Sequence, residues 1–243
     1  MEKNKKDTNK IEKHRRVNDI LLAPLERPAI QWLVEHMPLW ITPDHLTFFG
    51  FAAAILIGVS YYLTSFNKNY LWLATLGFIL NWFGDSLDGN LARYRKIERP
   101  KYGFFIDHAI DTVSEISIFI GIGLSPYVDL TLALLALIGY MSMANLVYII
   151  TSVEGVFKLS YGKLGPTEAR AIAIITNTLL FFLGNEQPSQ IFGRFSLYDL
   201  VVLCVILILG SIFIYTVITH AIKYEREDRE QWLEKLKQFK KPK

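Results

Sequence analysis

Between Asp85 and Asp111 the chain carries four aspartates at helical spacing, Asp85 and Asp88 three residues apart and Asp107 and Asp111 four apart. Either spacing puts its pair on one face of a helix, so two neighbouring helices can aim four carboxylates into one small volume. Carboxylates held that close beside hydrocarbon repel one another and lose solvation until protons or a cation offset them. An all-oxygen donor set suits a hard divalent cation, Mg²⁺ first, with Mn²⁺ or Ca²⁺ as substitutes. Mg²⁺ usually keeps part of its shell for waters and substrate phosphates, so the donor set points on to a phosphate-bearing substrate. Gly89 and Ala92 leave room beside Asp88 for a ligand or a neighbouring helix. Arg93 offers a planar donor fork suited to phosphate. Gly103 is expected where the second helix passes close to the first.

The pattern Asp85-x-x-Asp88-Gly89-x-x-Ala92-Arg93, followed by Gly103-x-x-x-Asp107-x-x-x-Asp111, resembles the signature of the CDP-alcohol phosphotransferases, membrane enzymes of phospholipid synthesis. It occupies eight positions in 27 residues. The nine residues between Arg93 and Gly103 are one more than the usual pattern has, in a polar loop where an insertion costs little. The resemblance implies that Asp85, Asp88 and Asp107 hold one or two divalent metals on the diphosphate of a CDP-linked donor, with Asp111 also near the metals. It implies that Asp111 is the base for the acceptor hydroxyl, that Gly89, Ala92, Arg93 and Gly103 contact CDP, and that CMP leaves. It also implies a homodimer.

Positioning these residues requires membrane helices. Of 243 residues, 51% are hydrophobic, in segments near the length of a bilayer crossing. The reading is an all-α integral membrane protein with six transmembrane helices, an N-terminal amphipathic interfacial helix and a charged C-terminal helix. Residues 1–27 form a basic tail expected to be disordered and, lacking an apolar core, not a signal peptide. Residues 28–41 form the amphipathic helix, opened by Pro28 and carrying Ile30, Leu33, Val34 and Met37 on one face. It lies in the membrane interface or packs on the ends of other helices, two compatible readings. Residues 42–222 form the membrane domain, entered by the start signal Thr42-Pro43-Asp44. Crossings are expected at about Leu46–Leu63, Tyr70–Arg93, Phe104–Leu124, Leu130–Ile150, Ala169–Leu183 and Leu200–Ile218. The third is interrupted by Asp107, Asp111 and Glu115 and is credible only with its acidic face on a polar cavity. Residues 223–243 form a charged tail helix with Trp232, Leu233, Leu236 and Phe239 on one side.

Six crossings put both termini on one face. Arg93, Arg95, Lys96, Arg99, Lys101, Lys158, Lys163 and Arg170 fall on that face, against Lys68 and Arg194 on the other. The asymmetry places tails and aspartates on the cytoplasmic side, in a cell inner membrane, or in the endoplasmic reticulum membrane of a eukaryote. Glu115, one turn beyond Asp111, together with Lys163 and Arg170, is a candidate lining of the acceptor pocket. His108 points roughly 100° from Asp107 around the helix and reads as a packing residue. Asn81, Asn145 and Asn177 read as interhelical hydrogen bonds, and Cys204, the one cysteine, as a small buried hydrophobe. The substrates left open are CDP-diacylglycerol with a small alcohol, or CDP-choline or CDP-ethanolamine with a lipid hydroxyl. Asp107-His108-x-x-Asp111 looks like the choline and ethanolamine type. Thr112, where the inositol-phosphate type resembles an arginine, leans away from that acceptor. No nucleic-acid partner is expected. Three rival readings are a Mg²⁺-dependent membrane prenyltransferase, a divalent-cation transporter and an inactive scaffold. Against them stand the single acidic motif, the absence of an acidic echo in the second half, and the complete aspartate set.

Overall fold

The computed structural model describes residues 21–154, 165–183, 190–192 and 195–239. Among these residues seven helices run α1 (Ala23–Glu35), α2 (Pro43–Leu63), α3 (Tyr70–Arg95), α4 (Pro100–Gly123), α5 (Leu130–Glu154), α6 (Pro166–Leu183) and α7 (Leu197–Phe239). A minimal hairpin, β1 (Gln190–Phe192) with β2 (Phe195–Ser196), precedes α7; its antiparallel register pairs Gln190 with Ser196 and Phe192 with Phe195. Packing neighbours follow the order α6, α3, α2, α4, α5, α7, with α1 lying on α3.

α2 is the spine because its sequence lets two helices come close. It opens on a capping box: Thr42 Oγ1 accepts from the His45 N–H and His45 Nδ1 accepts from the Thr42 N–H, each at 3.3 Å, with Pro43 in the first turn, where its missing N–H costs nothing. Its glycines then mark two crossings. A Cβ on Gly84 of α3 would stand 2.5 Å from the backbone nitrogen of Gly50, and one on Gly121 of α4 would stand 2.3 Å from the carbonyl oxygen of Gly58. Small residues at such points let helices pack closely where no hydrophobic effect drives them together. Some buried polar groups bond within their own helix, as Ser60 does to the Leu56 carbonyl, and others bond between helices, since a bilayer offers no water to satisfy them. Asn177 of α6 donates to Thr75 Oγ1 (3.2 Å) and accepts from the Tyr61 hydroxyl (2.8 Å), tying α6 to α3 and α2. This bolt lies in a cluster of Ile57, Tyr61, Leu71, Ala74, Phe78, Tyr127 and Leu180.

Several expectations are corrected. α1 starts at Ala23, with Pro24 in its first turn and Pro28 inside the helix, so part of the segment expected to be disordered is ordered; residues 1–20 lie outside the described ones. α1 packs Val34 with Leu46, Leu87 and Leu91, at the end of the bundle, while Trp32 stays exposed. The sixth apolar segment and the charged tail form one continuous helix, α7, because no breaker separates Ile218 from Lys223. Cys204 is exposed rather than buried, since α7 packs mainly along α5. Asn145 is exposed on α5. Among the described residues, three helices are long and apolar enough by length and composition to cross a membrane, within Pro43–Leu63, Leu130–Glu154 and Tyr198–Lys237; the motif aspartates and Glu115 lie on α3 and α4, and Arg170 lies on α6.

Candidate functional site

The link between α3 and α4 is shorter than the sequence suggests. Helix extends to Arg95 and resumes at Pro100, leaving residues 96–99. Lys96 ends α3 in the left-handed conformation (φ 58°), with its N–H on the carbonyls of Ala92 and Arg93, which caps the helix and turns the chain back. The guanidinium of Arg95 donates to the carbonyls of Met37 (2.9 Å), Pro38 (2.9 Å) and Ile41 (2.6 Å), clamping the α1–α2 loop. Arg99 pairs with Asp44 in the first turn of α2 and lies over the Tyr102 ring, 4.4 Å from its centroid. These contacts register α4 and α3 against the start of α2.

A small, partly open cavity results, lined by Asp85 and Asp88 from α3, Asp107 and Asp111 from α4, and Thr47, Gly50 and Phe51 from α2. Asn81, Ile110 and Ser114 complete its walls. Each acidic pair faces it as the spacing predicts, while α2 packs against both helices. Asp88 is buried, and its Oδ2 accepts from the Thr47 hydroxyl at 2.7 Å. Asp85 Oδ2 accepts from Arg170 of α6 at 2.6 Å, and the Arg170 Nε donates to Asn81 Oδ1 at 2.8 Å. Asn81 in turn donates to the Gly50 carbonyl at 2.9 Å. A charge-assisted bond of this kind is roughly twice as strong as a neutral one, so Asp85 has a defined orientation.

On α4, Asp107, His108 and Asp111 each offer a ligand atom, and the three atoms lie within 4.8 Å of one another. His108 thus stands beside the two aspartates as well as packing against aromatic neighbours. Its ring makes tilted contacts with Phe104 (4.2 Å between centroids) and Tyr148 (5.2 Å), and its Nδ1 stands 3.6 Å from Asp107 Oδ2. Glu115, one turn farther along, is hydrogen-bonded to Tyr140 of α5. Arg170 acts electrostatically on Asp111 and Glu115 as well as on Asp85.

The remaining motif residues do not line the cavity. A Cβ on Gly89 would meet the Arg93 guanidinium at 3.3 Å, so the space expected for a ligand or a helix borders Arg93's own fork, which donates to Asn90 at 2.9 Å. Ala92 is half-buried and Arg93 exposed, toward the end of α3. Gly103 is not a helix-crossing point: nothing lies within 4 Å of a Cβ built there. The crossings fall instead at Gly84 and Gly121, because α4 packs on α2 rather than on the beginning of its own motif. Lys158 and Lys163 lie outside the described residues. Sequence reasoning missed Thr47 as the partner of Asp88 and Arg170 as the partner of Asp85. No local spacing links residues 41 and 85 apart in the chain.

A match to the family described as CDP-alcohol phosphatidyltransferase covers residues 40–223, which includes every helix that lines the cavity. The chain belongs to this family. Among curated members, it is 39% identical over 118 residues to the archaetidylinositol phosphate synthase of Pyrococcus horikoshii, covering 46% of this chain and 60% of the relative. It is 31% identical over 175 residues to cholinephosphotransferase 1 of Bos taurus, covering 68% of this chain and 42% of the relative. The phosphatidylinositol phosphate synthase of Cutibacterium acnes is 36% identical over 85 residues, 35% of this chain and 38% of the relative. The chain thus spans between about two fifths and three fifths of the length of these relatives.

Proposed function

We propose that the protein is a membrane-embedded transferase that moves a phosphatidyl or phospho-alcohol group from a CDP-linked donor to an acceptor hydroxyl and releases CMP. The observation that carries this reading is the convergence of all four motif carboxylates on one cavity. The residues fit a divalent metal: four carboxylates supply oxygen donors to one cavity, and on α4 Asp107 and Asp111, with a ring nitrogen of His108, offer ligand atoms within 4.8 Å of one another. Asp85, Asp88, Asp107 and Asp111 would hold it, Mg²⁺ by preference with Mn²⁺ as substitute. When bound, the metal supplies charge neutralisation at the diphosphate and the leaving CMP.

The chain's own side chains do the rest. Thr47 and Arg170 hold Asp88 and Asp85 in fixed orientations. Asp111 takes the acceptor's hydroxyl proton onto a carboxylate oxygen, as general-base work requires. The acceptor oxygen forms a bond to the phosphorus distal to cytidine while the bridging P–O bond to CMP breaks, so phosphate is transferred whole. Gly89, Ala92 and Arg93 of α3 and Gly103 of α4, outside the cavity lining itself, would receive the CDP portion. Glu115 and Arg170 face the acceptor, with Lys163 as a further candidate. Six crossings, with both termini and the cavity on the cytoplasmic side, suit a water-soluble CDP compound, and the reading includes a homodimer in the bilayer. The names of the relatives divide between inositol-phosphate acceptors and choline donors, so both directions enter the test.

The test is CMP release by purified protein with Mg²⁺, offering CDP-diacylglycerol, CDP-choline and CDP-ethanolamine separately against small alcohols, inositol phosphate and diacylglycerol. One donor should give acceptor-dependent CMP that EDTA stops and Mg²⁺ restores. Asp85→Asn, Asp88→Asn and Asp107→Asn should each abolish it, and full turnover in any of the three would overturn the metal assignment.

A further inference from the structure

We propose that Glu26, on α1, is a positioning residue for the carboxylate cluster and acts through Arg170; the inference rests on reading that cluster as the metal and diphosphate site. Glu26 Oε1 accepts hydrogen bonds from two helices at once. Trp82 Nε1 (2.9 Å) and Ser86 Oγ (3.2 Å) donate from α3, and Thr167 Oγ1 (2.9 Å) donates from α6. Trp82 and Ser86 each follow by one residue Asn81 and Asp85, the two residues that Arg170 binds from α6. Thr167 stands three residues before Arg170, close to one turn away on the same helix. The same two helices are therefore joined twice at one level, by an anion from α1 and by the cation Arg170.

A second carboxylate seats α1 on α6. Glu168 is buried; its Oε1 accepts from the Leu22 N–H at 2.8 Å and its Oε2 from the Gly165 N–H at 2.9 Å. The beginning of α1 is thus fixed on the beginning of α6, and Glu26 carries that fixation across to α3. Where the first turn of α6 stands decides where the Arg170 fork stands. The fork sets the orientation of Asp85 and supplies positive charge to Asp111 and Glu115. Without Glu26, the bond from Thr167 to a group held on α3 is lost, and the distance between Arg170 and Asp85 loses its second fastening. A group bonded directly to a metal ligand, as Arg170 is to Asp85, is typically worth about 10–100-fold in metal affinity or activity, and a residue that acts through it is expected at the low end of that range.

The test is a double-mutant cycle on the full-length purified protein, with Mn²⁺ binding read from the electron paramagnetic resonance of the free ion. Glu26→Ala should shift the Mn²⁺ dissociation constant about ten-fold. In an Arg170→Ala background the same substitution should shift it by less than about two-fold, the scatter expected of independent sites. Glu26→Gln keeps an accepting oxygen and should return within about two-fold of the wild type. A ten-fold shift that persists in the Arg170→Ala background, or no shift from Glu26→Ala, would overturn the proposal. Should Glu26→Ala fail to fold, Thr167→Val, which removes only the α6 arm, takes its place with the same criteria. Failure of the underlying site reading looks different: wild-type protein would bind no Mn²⁺, or Asp85→Asn would leave binding unchanged.

Discussion

Replacing Gly84 by alanine tests whether close approach of α2 and α3 is what assembles the site. The added Cβ would stand 2.5 Å from the Gly50 nitrogen, 2.6 Å from its Cα and 2.6 Å from the Leu46 carbonyl oxygen. All three are backbone atoms, which no rotamer change can move. Ordinary contact between carbon atoms is about 3.5 Å, so the two helices must part by roughly an ångström. Overpacking of this kind costs about 1–3 kcal/mol; at about 2–4 °C per kcal/mol for a chain of this size, the unfolding midpoint in detergent should fall by several degrees. The same displacement acts on the Thr47–Asp88 hydrogen bond, 2.7 Å long, one turn along from Gly84. Stretched by an ångström it is no longer a hydrogen bond, and misplacement on that scale costs about 10²-fold in rate. CMP release and thermal unfolding would be measured on Gly84→Ala and Gly103→Ala side by side. At Gly103 a Cβ meets nothing within 4 Å, so stability should not change and only the KM for the CDP donor should rise. An undisturbed midpoint and rate in Gly84→Ala, with destabilisation in Gly103→Ala, would refute the crossing geometry.

Other outcomes are expected from single contacts. Asp111→Asn should keep donor binding, measured by equilibrium dialysis of labelled donor, while losing turnover; loss of donor affinity alone would contradict its role as base. Tyr61→Phe leaves the oxygen of Asn177, 1% exposed, without its donor. That should cost about 1–3 kcal/mol in thermal unfolding while Mn²⁺ affinity stays constant, since Tyr61 is about 20 Å along α2 from Thr47. Arg95→Lys keeps the charge but loses the fork that spans several carbonyls; hydrogen exchange over residues 37–41 should speed up, and an unchanged rate would show that the clamp contributes nothing.

What could be read without the fold was whatever is local along the chain. The three- and four-residue spacings of Asp85, Asp88, Asp107 and Asp111 orient each pair on its helix, and the structure places all four on one cavity. The cap at Thr42 and the long apolar segments were equally legible, because a helix start is decided within a few residues. Where local signals competed, the reading slipped. Pro24 and Pro28 both suit a first turn, and packing of Val34 on Leu87 and Leu91 rewards the longer helix. The change of composition at Lys223 suggests a separate tail helix, yet composition does not interrupt backbone hydrogen bonding, and α7 runs through it. Gly103 suggests a crossing because it lies inside the motif, while Gly50 and Gly58, where the crossings fall, are set apart from it by 27 residues or more.

The sequence by itself determined the chemistry on offer and its register on each helix, since a carboxylate's identity and its angle around a helix follow from residue type and number alone. Only the tertiary structure decided which partners steady that chemistry. Thr47 meets Asp88, Arg170 meets Asp85, and Glu26 joins α3 to α6 across 56 to 141 residues of chain. Such pairings depend on how helices cross, and the crossings depend on where two backbones can touch: at Gly50 with Gly84, and at Gly58 with Gly121.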